Sequence, residues 1–159
     1  MTDDENSSVD NAEVRIPPPV IYTTLLVAGV VMDSAWMRGE LAETNSMAIG
    51  LAVFLAGCLI SAFSVPRHKK AGSNVEPWKP TTKIMADGLY GRSRNPIYIA
   101  MAMIYAGIAI GADSGMAMIL LLPCLIIIRY YVIAREERYL AQKFGVEYEE
   151  YMRAVRRWF

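Results

Sequence analysis

The sequence predicts an all-α integral membrane protein with four transmembrane helices in two antiparallel hairpins, a polar connector and amphipathic C-terminal helices. The chain has 159 residues, of which 54% are hydrophobic. These residues are grouped into long apolar runs instead of being spread evenly, as they are in a soluble domain. Four of the runs approach the roughly 20 helical residues that cross a hydrocarbon core of about 30 Å.

The first half of the chain contains a tail and the first hairpin. Residues 1–16 are polar and acidic, which predicts a disordered N-terminal tail. The membrane domain is then expected to cover residues 17–159. Its first two spans are predicted at about residues 20–37 and 46–65, and the short polar turn between them favours an antiparallel pair.

The second hairpin follows a long polar connector, residues 66–95. The connector contains several prolines and glycines and is therefore not expected to form one regular element. The third span is predicted at about residues 96–110. Asn95 is a good N-cap residue, and Pro96 is tolerated in the first helical turn. After a tight turn, the fourth span is predicted at about residues 116–134.

The C-terminal residues predict two short amphipathic helices separated by a break at Gly145. In the second helix, Tyr148, Tyr151, Met152 and Val155 recur at the spacing of one helical face. We expect this face to lie on the membrane surface or to pack over the connector.

Basic residues predict the orientation of the chain. Seven Lys or Arg residues lie in the connector and six follow residue 134, whereas the loops predicted on the opposite side contain only Arg38. The positive-inside rule therefore places the connector and both termini in the cytoplasm. Nucleic acid is not an expected partner, because no soluble fold is predicted beside the basic residues.

Charged and aromatic groups meet at the predicted cytoplasmic ends of spans three and four. The connector brings Tyr90, Arg94 and Asn95 to the N-terminus of the third span, where helical N–H groups favour an anion such as a carboxylate. Tyr98 lies one turn further and can stack or form a hydrogen bond.

The fourth span ends in two adjacent acidic residues, Glu136 and Glu137. An acidic side chain at this position can bind a ligand ammonium group, so that the two helix ends together could hold a zwitterion. The alternative is that Arg94 pairs directly with one of the two glutamates, which would be a purely structural interaction.

Two further charges fall within apolar runs. Arg129 is expected to face a partner or a water-filled cavity, or to extend to the interface. It precedes Glu136 by seven residues, which predicts that the two lie on one helical face. Asp33 lies near the far end of the first span, where an interfacial position and a proton relay are both open. No metal site is predicted, because Cys58 and Cys124 lack metal-ligand spacing.

Several motifs in order resemble bacterial members of the isoprenylcysteine carboxyl methyltransferase family, which is related to the phospholipid N-methyltransferases. The motifs are Pro77-Trp-Lys-Pro80, Gly88-x-Tyr90, Arg94-Asn-Pro-x-Tyr98, Glu136-Glu137-x-x-Leu140, Phe144-Gly145, Tyr148-x-x-Tyr151 and the closing Arg156-Arg-Trp-Phe159. The resemblance covers roughly residues 46–159.

The resemblance implies a multi-pass methyltransferase of the bacterial inner membrane. It implies the cofactor S-adenosylmethionine, the product S-adenosylhomocysteine, no metal, and a lipophilic or lipid-like acceptor that enters from the bilayer. Together with the charged helix ends, it predicts a cofactor-binding set of Thr82, Lys83, Ile84, Met85, Tyr90, Arg94, Asn95, Pro96, Ile97, Tyr98, Glu136 and Glu137. Arg129 and Glu136 are the predicted catalytic residues.

The acceptor is less well defined than the cofactor. Eukaryotic members of the family have His at the positions of Thr82 and Asn95, and a substrate-binding Arg at the position of Val132. Arg129 or Arg135 could replace that Arg. O-methylation of a carboxylate is the first hypothesis, and N-methylation of a lipid amine is the nearest alternative. A small four-span transporter or a non-catalytic membrane protein is the alternative from another class. The oligomeric state is not predicted.

Overall fold

The computed structural model describes residues 10–36, 46–70, 74 and 76–158, except for the side chains of residues 34–36 and 68–70. These residues form helices and turns and contain no strand, which confirms the all-α prediction. The α-helices are α1 Pro18–Trp36, α2 Ser46–Lys70, α3 Pro96–Gly111, α4 Gly115–Ile127, α5 Ala134–Phe144 and α6 Val146–Ala154. A π-helical turn, Ile128–Ile133, joins α4 to α5, and a 3-10 turn, Gly88–Gly91, precedes α3.

Two of the described helices are long and apolar enough to cross a membrane. They are Ser46–Arg67 within α2 and the continuous helix Gly115–Phe144, each with a mean hydropathy of 2.3 in its most apolar window. The apolar parts of α1 and α3, Pro18–Asp33 and Pro96–Gly111, are shorter. Two candidate spans are therefore present in the described residues, and the four-span arrangement stays a prediction.

Helix α2 continues five residues beyond its predicted end and passes through Pro66. Proline lacks an N–H and removes one helical hydrogen bond, but here it does not end the helix. The extension carries Arg67, whose guanidinium occupies the space that a side chain at position 88 would need. Gly88 also has a φ of +59°, a backbone conformation that favours glycine. Glycine at this position therefore allows α2 to approach the 3-10 turn that carries Tyr90 to the site.

Helices α2 and α3 approach each other closely through glycines. A Cβ atom at Gly107 would lie 2.5 Å from the backbone nitrogen of Phe54, and one at Gly50 would lie 2.5 Å from the backbone nitrogen of Gly111. Small residues of this kind let two helical backbones pack together where apolar burial alone provides little driving force.

Buried tyrosines join α1, α3 and α4. The Tyr22 hydroxyl donates to the carbonyl of Tyr98 at 3.1 Å, and the Tyr105 hydroxyl donates to the carbonyl of Ala117 at 2.9 Å. The Tyr22 and Tyr105 rings meet edge to face, with their centroids 6.4 Å apart. The phenolic groups thus satisfy their hydrogen bonds inside the bundle while the rings fill its core.

The packing of the helices differs from the expected pair of hairpins. Helix α2 packs mainly on α3, whereas α1 packs on α4 and α3 rather than forming a close pair with α2. The predicted turn between the first two spans lies outside the described residues. The antiparallel pair of α3 and α4 is present, and it joins the other two helices into one bundle.

Asp33 holds the N-terminus of α4. Its carboxylate accepts the N–H of Met116 at 2.9 Å and the hydroxyl hydrogen of Ser114, and the Ser114 hydroxyl oxygen accepts the N–H of Ala117 at 3.1 Å. An acid at a helix N-terminus satisfies free N–H groups and interacts favourably with the helix dipole. This geometry favours a structural role for Asp33 over a proton relay.

The N-terminal segment, residues 10–16, packs against the rest of the chain instead of forming the disordered tail that we expected. Ala12 and Val14 are buried, and the N–H of Ala12 donates to the carbonyl of Pro77 at 3.1 Å. The amides of Arg15 and Ile16 both donate to the Tyr131 hydroxyl at 3.1 Å. Residues 1–9 lie outside the described residues.

The substitution Gly107→Ala tests the close approach of α2 and α3. We expect it to lower the free energy of unfolding by about 1–3 kcal/mol, because the added methyl group overlaps backbone atoms of α2. The matched control is Gly111→Ala, whose Cβ would have its nearest neighbour, the Met47 sulfur, at 3.8 Å. Thermal unfolding in detergent measures both variants, and equal stability of the two would contradict the packing.

Candidate functional site

A cavity of about 210 Å³ lies where the N-terminal segment, the connector, the start of α3, α5 and α6 meet. All the predicted cofactor-binding residues except Thr82 and Pro96 line it. The structure therefore brings together residues that are up to 54 positions apart, from Lys83 to Glu137. The predicted catalytic residue Glu136 also lines this cavity, whereas Arg129 does not.

Tyr98 and Glu136 are in direct contact at the wall of the cavity. The Tyr98 hydroxyl donates to Oε1 of Glu136 at 2.8 Å. Tyr98 is buried on the first turn of α3, and Glu136 lies in the first turn of α5. Oε2 of Glu136 makes no hydrogen bond with the described residues and is available to accept one from a ligand.

Glu137 belongs to a buried ion-pair network with two arginines. Its carboxylate lies 2.9 Å from the Arg94 guanidinium. The same carboxylate accepts hydrogen bonds from Nε and Nη2 of Arg157, at 3.0 and 2.5 Å. The hydrogen bond to Glu137 raises the pKa of the Arg157 guanidinium. The pairing of Arg94 that we considered as a structural alternative thus exists, and it involves Glu137 and not Glu136.

Arg94 keeps one donor that this network does not use. Its Nε is buried and has no hydrogen-bond partner among the described residues. A buried unpaired donor is uncommon in folded proteins, because it has lost its bonds to water without replacement. Arg94 lines the same cavity as Glu136, so the cavity offers a cationic donor and an anionic acceptor to one ligand.

The C-terminal segment holds the start of α3 in place. The N–H of Arg94 donates to the carbonyl of Arg156 at 3.0 Å, and Nδ2 of Asn95 donates to the carbonyl of Arg157 at 3.0 Å. Asn95 occupies the N-cap position, but its side chain makes no capping hydrogen bond, contrary to our expectation. The Asn95 side chain instead donates its amide N–H to the C-terminal segment.

Helix α6 packs over the connector, which is one of the two placements that we expected. The Tyr151 hydroxyl donates to the carbonyl of Tyr90 at 2.7 Å, and the Tyr148 and Tyr151 rings lie 6.0 Å apart. Burial raises the pKa of Tyr151 to about 12 and also raises that of Tyr148. Both phenols are therefore neutral at pH 7. The turn into α6 uses Gly145, whose φ is +55°.

The N-terminal segment covers the cavity and is held by Tyr139. The Tyr139 hydroxyl accepts the N–H of Thr81 at 3.2 Å and donates to Asp10 at 2.7 Å, while Nζ of Lys143 lies 2.5 Å from Asp10. The hydrogen bond from Lys143 lowers the pKa of the Asp10 carboxyl. One hydroxyl therefore connects the connector, the N-terminal segment and α5.

Arg129 lines a different cavity, together with Trp158 from the C-terminal segment. The prediction that Arg129 and Glu136 share a face does not hold, because the two residues line different cavities. Arg129 lies within the π-helical turn Ile128–Ile133, which precedes Glu136. A π turn contains one extra residue, which rotates the following helix by about 100° relative to a regular α-helix.

Neither arginine that could replace the family's substrate Arg reaches the first cavity. Arg129 lines the second one, and Arg135 donates to the carbonyl of Glu13 at 3.0 Å and stacks on Tyr131 at 4.7 Å. Val132, at the family's Arg position, is fully buried in the core. None of these three positions therefore supplies a cation to the first cavity.

Sequence reasoning missed part of the cavity wall. The missed residues come from the N-terminal segment, the start of α1, the connector and α5, and include Ala12, Pro18, Pro19, Trp78, Tyr139 and Leu140. Trp78 and Leu140 lie within motifs that carry the resemblance, so their motifs signalled the site although their contacts were not predicted. The N-terminal residues had no such signal, because their composition is that of a disordered segment.

Comparison with known proteins assigns the family. A model of the phospholipid methyltransferase family matches residues 45–147, which is more than half of the chain. The chain belongs to the phospholipid methyltransferase family. This family is part of the group of membrane methyltransferases that resemble isoprenylcysteine carboxyl methyltransferase, so the resemblance seen in the motifs is confirmed.

The other two comparisons, with individual proteins and with solved structures, give less information about function than the family match. An uncharacterized protein of Haemophilus influenzae is 34% identical over 62 residues, which cover 39% of this chain and 98% of the relative. No solved structure matches the chain significantly.

The substitution Glu137→Gln tests the ion-pair network. We expect it to lower the free energy of unfolding by about 3 kcal/mol, because it leaves two partly buried arginines without a charged partner. The control is Glu149→Gln, which removes an exposed pair with Arg153 and should change stability by less than about 1 kcal/mol. Chemical unfolding in detergent compares the two, and similar small losses would show that the network contributes little.

Proposed function

We propose that this protein is an S-adenosylmethionine-dependent methyltransferase that acts in the membrane on the carboxylate of a lipophilic acceptor. The observation that carries the proposal is one cavity, in a chain of a methyltransferase family, that combines Glu136, Tyr98 and Arg94. The family implies use of S-adenosylmethionine, and the acceptor is our inference.

The polar groups of the cavity suit the amino-acid end of S-adenosylmethionine. That end is a zwitterion, so it needs an anionic acceptor for its ammonium group and a donor for its carboxylate. Oε2 of Glu136 and Nε of Arg94 are available for these two roles. S-adenosylhomocysteine has the same end and should bind to the same residues.

The cavity must widen to hold the whole cofactor. Its volume of about 210 Å³ is below the roughly 300–1,000 Å³ of most ligand pockets. The N-terminal segment over its mouth is held partly by an exposed pair between Asp10 and Lys143, and such pairs contribute little to stability. We therefore propose that residues 10–16 move when a ligand enters.

The chemistry requires mainly positioning. Held by Glu136 and Arg94, S-adenosylmethionine would supply a methyl group on a sulfonium. A lone pair of the acceptor oxygen would form the new bond to carbon, and the electron pair of the broken S–C bond would stay on sulfur. A carboxylate acceptor has no proton to lose, so no general base is needed. Tyr98 fixes the orientation of Glu136, and the surrounding tyrosines exclude water. Metal-free chemistry stays a prediction.

A second candidate function is N-methylation of a lipid amine. Two observations favour it: the matched family is described by phospholipid methylation, and the position of the substrate-binding Arg is the buried Val132. A lipid amine is protonated at pH 7, and its ammonium group must lose a proton before the nitrogen lone pair can form a bond to the methyl carbon. Glu136 is the carboxylate at the cavity that could accept this proton.

The proposed setting is the bacterial inner membrane, with four spans and both termini in the cytoplasm. The first cavity then lies at the cytoplasmic end of the bundle, close to the membrane surface. A lipophilic acceptor would reach it from the bilayer. The two candidate spans among the described residues and the membrane family support this placement.

The substitution Glu136→Gln tests the cofactor assignment. We expect the affinities for S-adenosylmethionine and S-adenosylhomocysteine to fall by about tenfold or more, the usual effect of losing a charge-assisted hydrogen bond. Isothermal titration calorimetry of the purified protein in detergent measures both ligands. The control is Glu150→Gln, on the exposed side of α6.

Each outcome of this titration is informative. Unchanged affinity in the Glu136→Gln variant would remove Glu136 from the proposed site. Failure of the folded wild-type protein to bind either ligand would overturn the proposed function as a whole.

The methylated product separates the two candidate acceptors. Membrane lipids incubated with the protein and S-adenosylmethionine carrying a labelled methyl group should become labelled. We expect mild alkali to release the label as volatile methanol, because methyl esters hydrolyse whereas N-methyl groups do not. Label in the lipid fraction that alkali does not convert to methanol would instead establish N-methylation. Label found only in water-soluble products before the alkali treatment would contradict a lipophilic acceptor.

A further inference from the structure

A second cavity of about 500 Å³ opens between α2, α3 and α4 on the side of the bundle. Its walls are apolar residues of the three helices, among them Val53, Met103 and Leu125. Two residues of another kind complete it, Arg129 from the π-helical turn and Trp158 from the C-terminal segment. The cavity is therefore apolar along its length and carries one positive charge.

This cavity is separate from the candidate active site. The first cavity is lined on α3 by Ile97, Tyr98 and Met101, whereas the second is lined by Ile99, Ala102, Met103 and Ala106. These two sets of residues lie on different faces of the same helix. Helix α3 thus stands between the cavities, and the second cavity is not a continuation of the first.

Arg129 has no acidic partner among the described residues. Its side chain is exposed, and its one close interaction is with the ring of Tyr130, whose centroid lies 5.5 Å from the guanidinium carbon. Arg129 lies in the candidate span Gly115–Phe144. A charged side chain among apolar helices in a membrane is costly unless an opposite charge or water stabilises it. An anion at the end of the apolar cavity would meet this requirement.

The dimensions fit part of an acyl chain. From Ile99 to Ala106 the cavity extends about 10 Å along α3, at a rise of 1.5 Å per residue. That length is about a third of a 30 Å hydrocarbon core. Trp158 lies beside the start of α3, because the preceding residue Arg157 binds Asn95 there. Tryptophan and arginine are typical of the headgroup level of a membrane.

We propose that the second cavity binds an anionic lipid of the surrounding membrane. One acyl chain lies between α2, α3 and α4, and the phosphate group of the lipid binds the guanidinium of Arg129. Charge complementarity selects an anionic headgroup, since no acidic side chain lines the cavity to bind a headgroup amine. The site depends on the membrane placement of the chain and not on methyl transfer.

Native mass spectrometry of the delipidated full chain tests this proposal. Dioleoyl phosphatidylglycerol and dioleoyl phosphatidylcholine are added in separate titrations. We expect one phosphatidylglycerol to bind the wild-type protein, and the Arg129→Gln variant to bind it about tenfold more weakly, since a charge-assisted contact is lost. The control Arg138→Gln changes another exposed arginine, on α5, and should bind like the wild type.

A second variant tests the apolar part of the site without changing its charge. Ala106→Leu places a larger side chain in the cavity, and we expect it to weaken phosphatidylglycerol binding although Arg129 is present. Equal binding of the two lipids by the wild type, or equal phosphatidylglycerol binding by wild type and Arg129→Gln, would overturn the proposal.

Two further readouts separate this site from the proposed active site. Binding of S-adenosylmethionine by the Arg129→Gln variant, measured without added lipid, should equal that of the wild type. If phosphatidylglycerol itself becomes methylated and Arg129→Gln abolishes this labelling, the cavity holds the acceptor instead of a resident lipid, and the proposal is wrong. If the wild type binds no S-adenosylmethionine but still selects phosphatidylglycerol, the proposed function fails and the lipid site stands.

Discussion

The site depends on the buried carboxylate of Glu137. This carboxylate joins Arg94, at the end of the connector, to Arg157, near the C-terminus, and both bonds form at the first turn of α5. Removing these charges partly from water is costly, and their pairing with close partners of the opposite sign offsets that cost. The network therefore joins three segments, and hydrogen bonds from Arg94 and Asn95 to the C-terminal segment and from Tyr98 to Glu136 reinforce the same arrangement. Of these segments, the connector and α5 line the first cavity.

Two adjacent glutamates consequently perform different tasks. Glu137 is used within the protein, whereas Glu136 turns to the cavity, binds Tyr98 through one oxygen and leaves the other for a ligand. The same division applies to Arg94, whose terminal nitrogen pairs with Glu137 while its Nε stays unpaired. The structural network positions the groups with unused hydrogen-bonding capacity and keeps them from pairing with each other.

The π-helical turn Ile128–Ile133 separates two regions of one long helix. Within the turn, Arg129 lines the apolar cavity between the helices. After it, Glu136 faces the polar cavity at the end of the bundle. The C-terminal segment contributes to both, because Arg157 holds the start of α3 and Trp158 lines the second cavity. A regular α-helix would have placed Arg129 and Glu136 on one face.

The sequence by itself determined the helical class, the bounds of α3 and α4 to within one or two residues at the turn between them, and most of the first cavity wall. Long apolar runs, Asn95-Pro96 and the Gly-rich turn are local signals, and local signals are sufficient for helix ends. Only the tertiary structure decided that Arg94 pairs with Glu137 and that α1 packs on α4. It also decided that residues 10–16 pack beside the first cavity and that Arg129 lines the second cavity instead of the first. Each of these findings depends either on contacts between residues far apart in the sequence or on the π-helical turn, and no local sequence pattern predicts them.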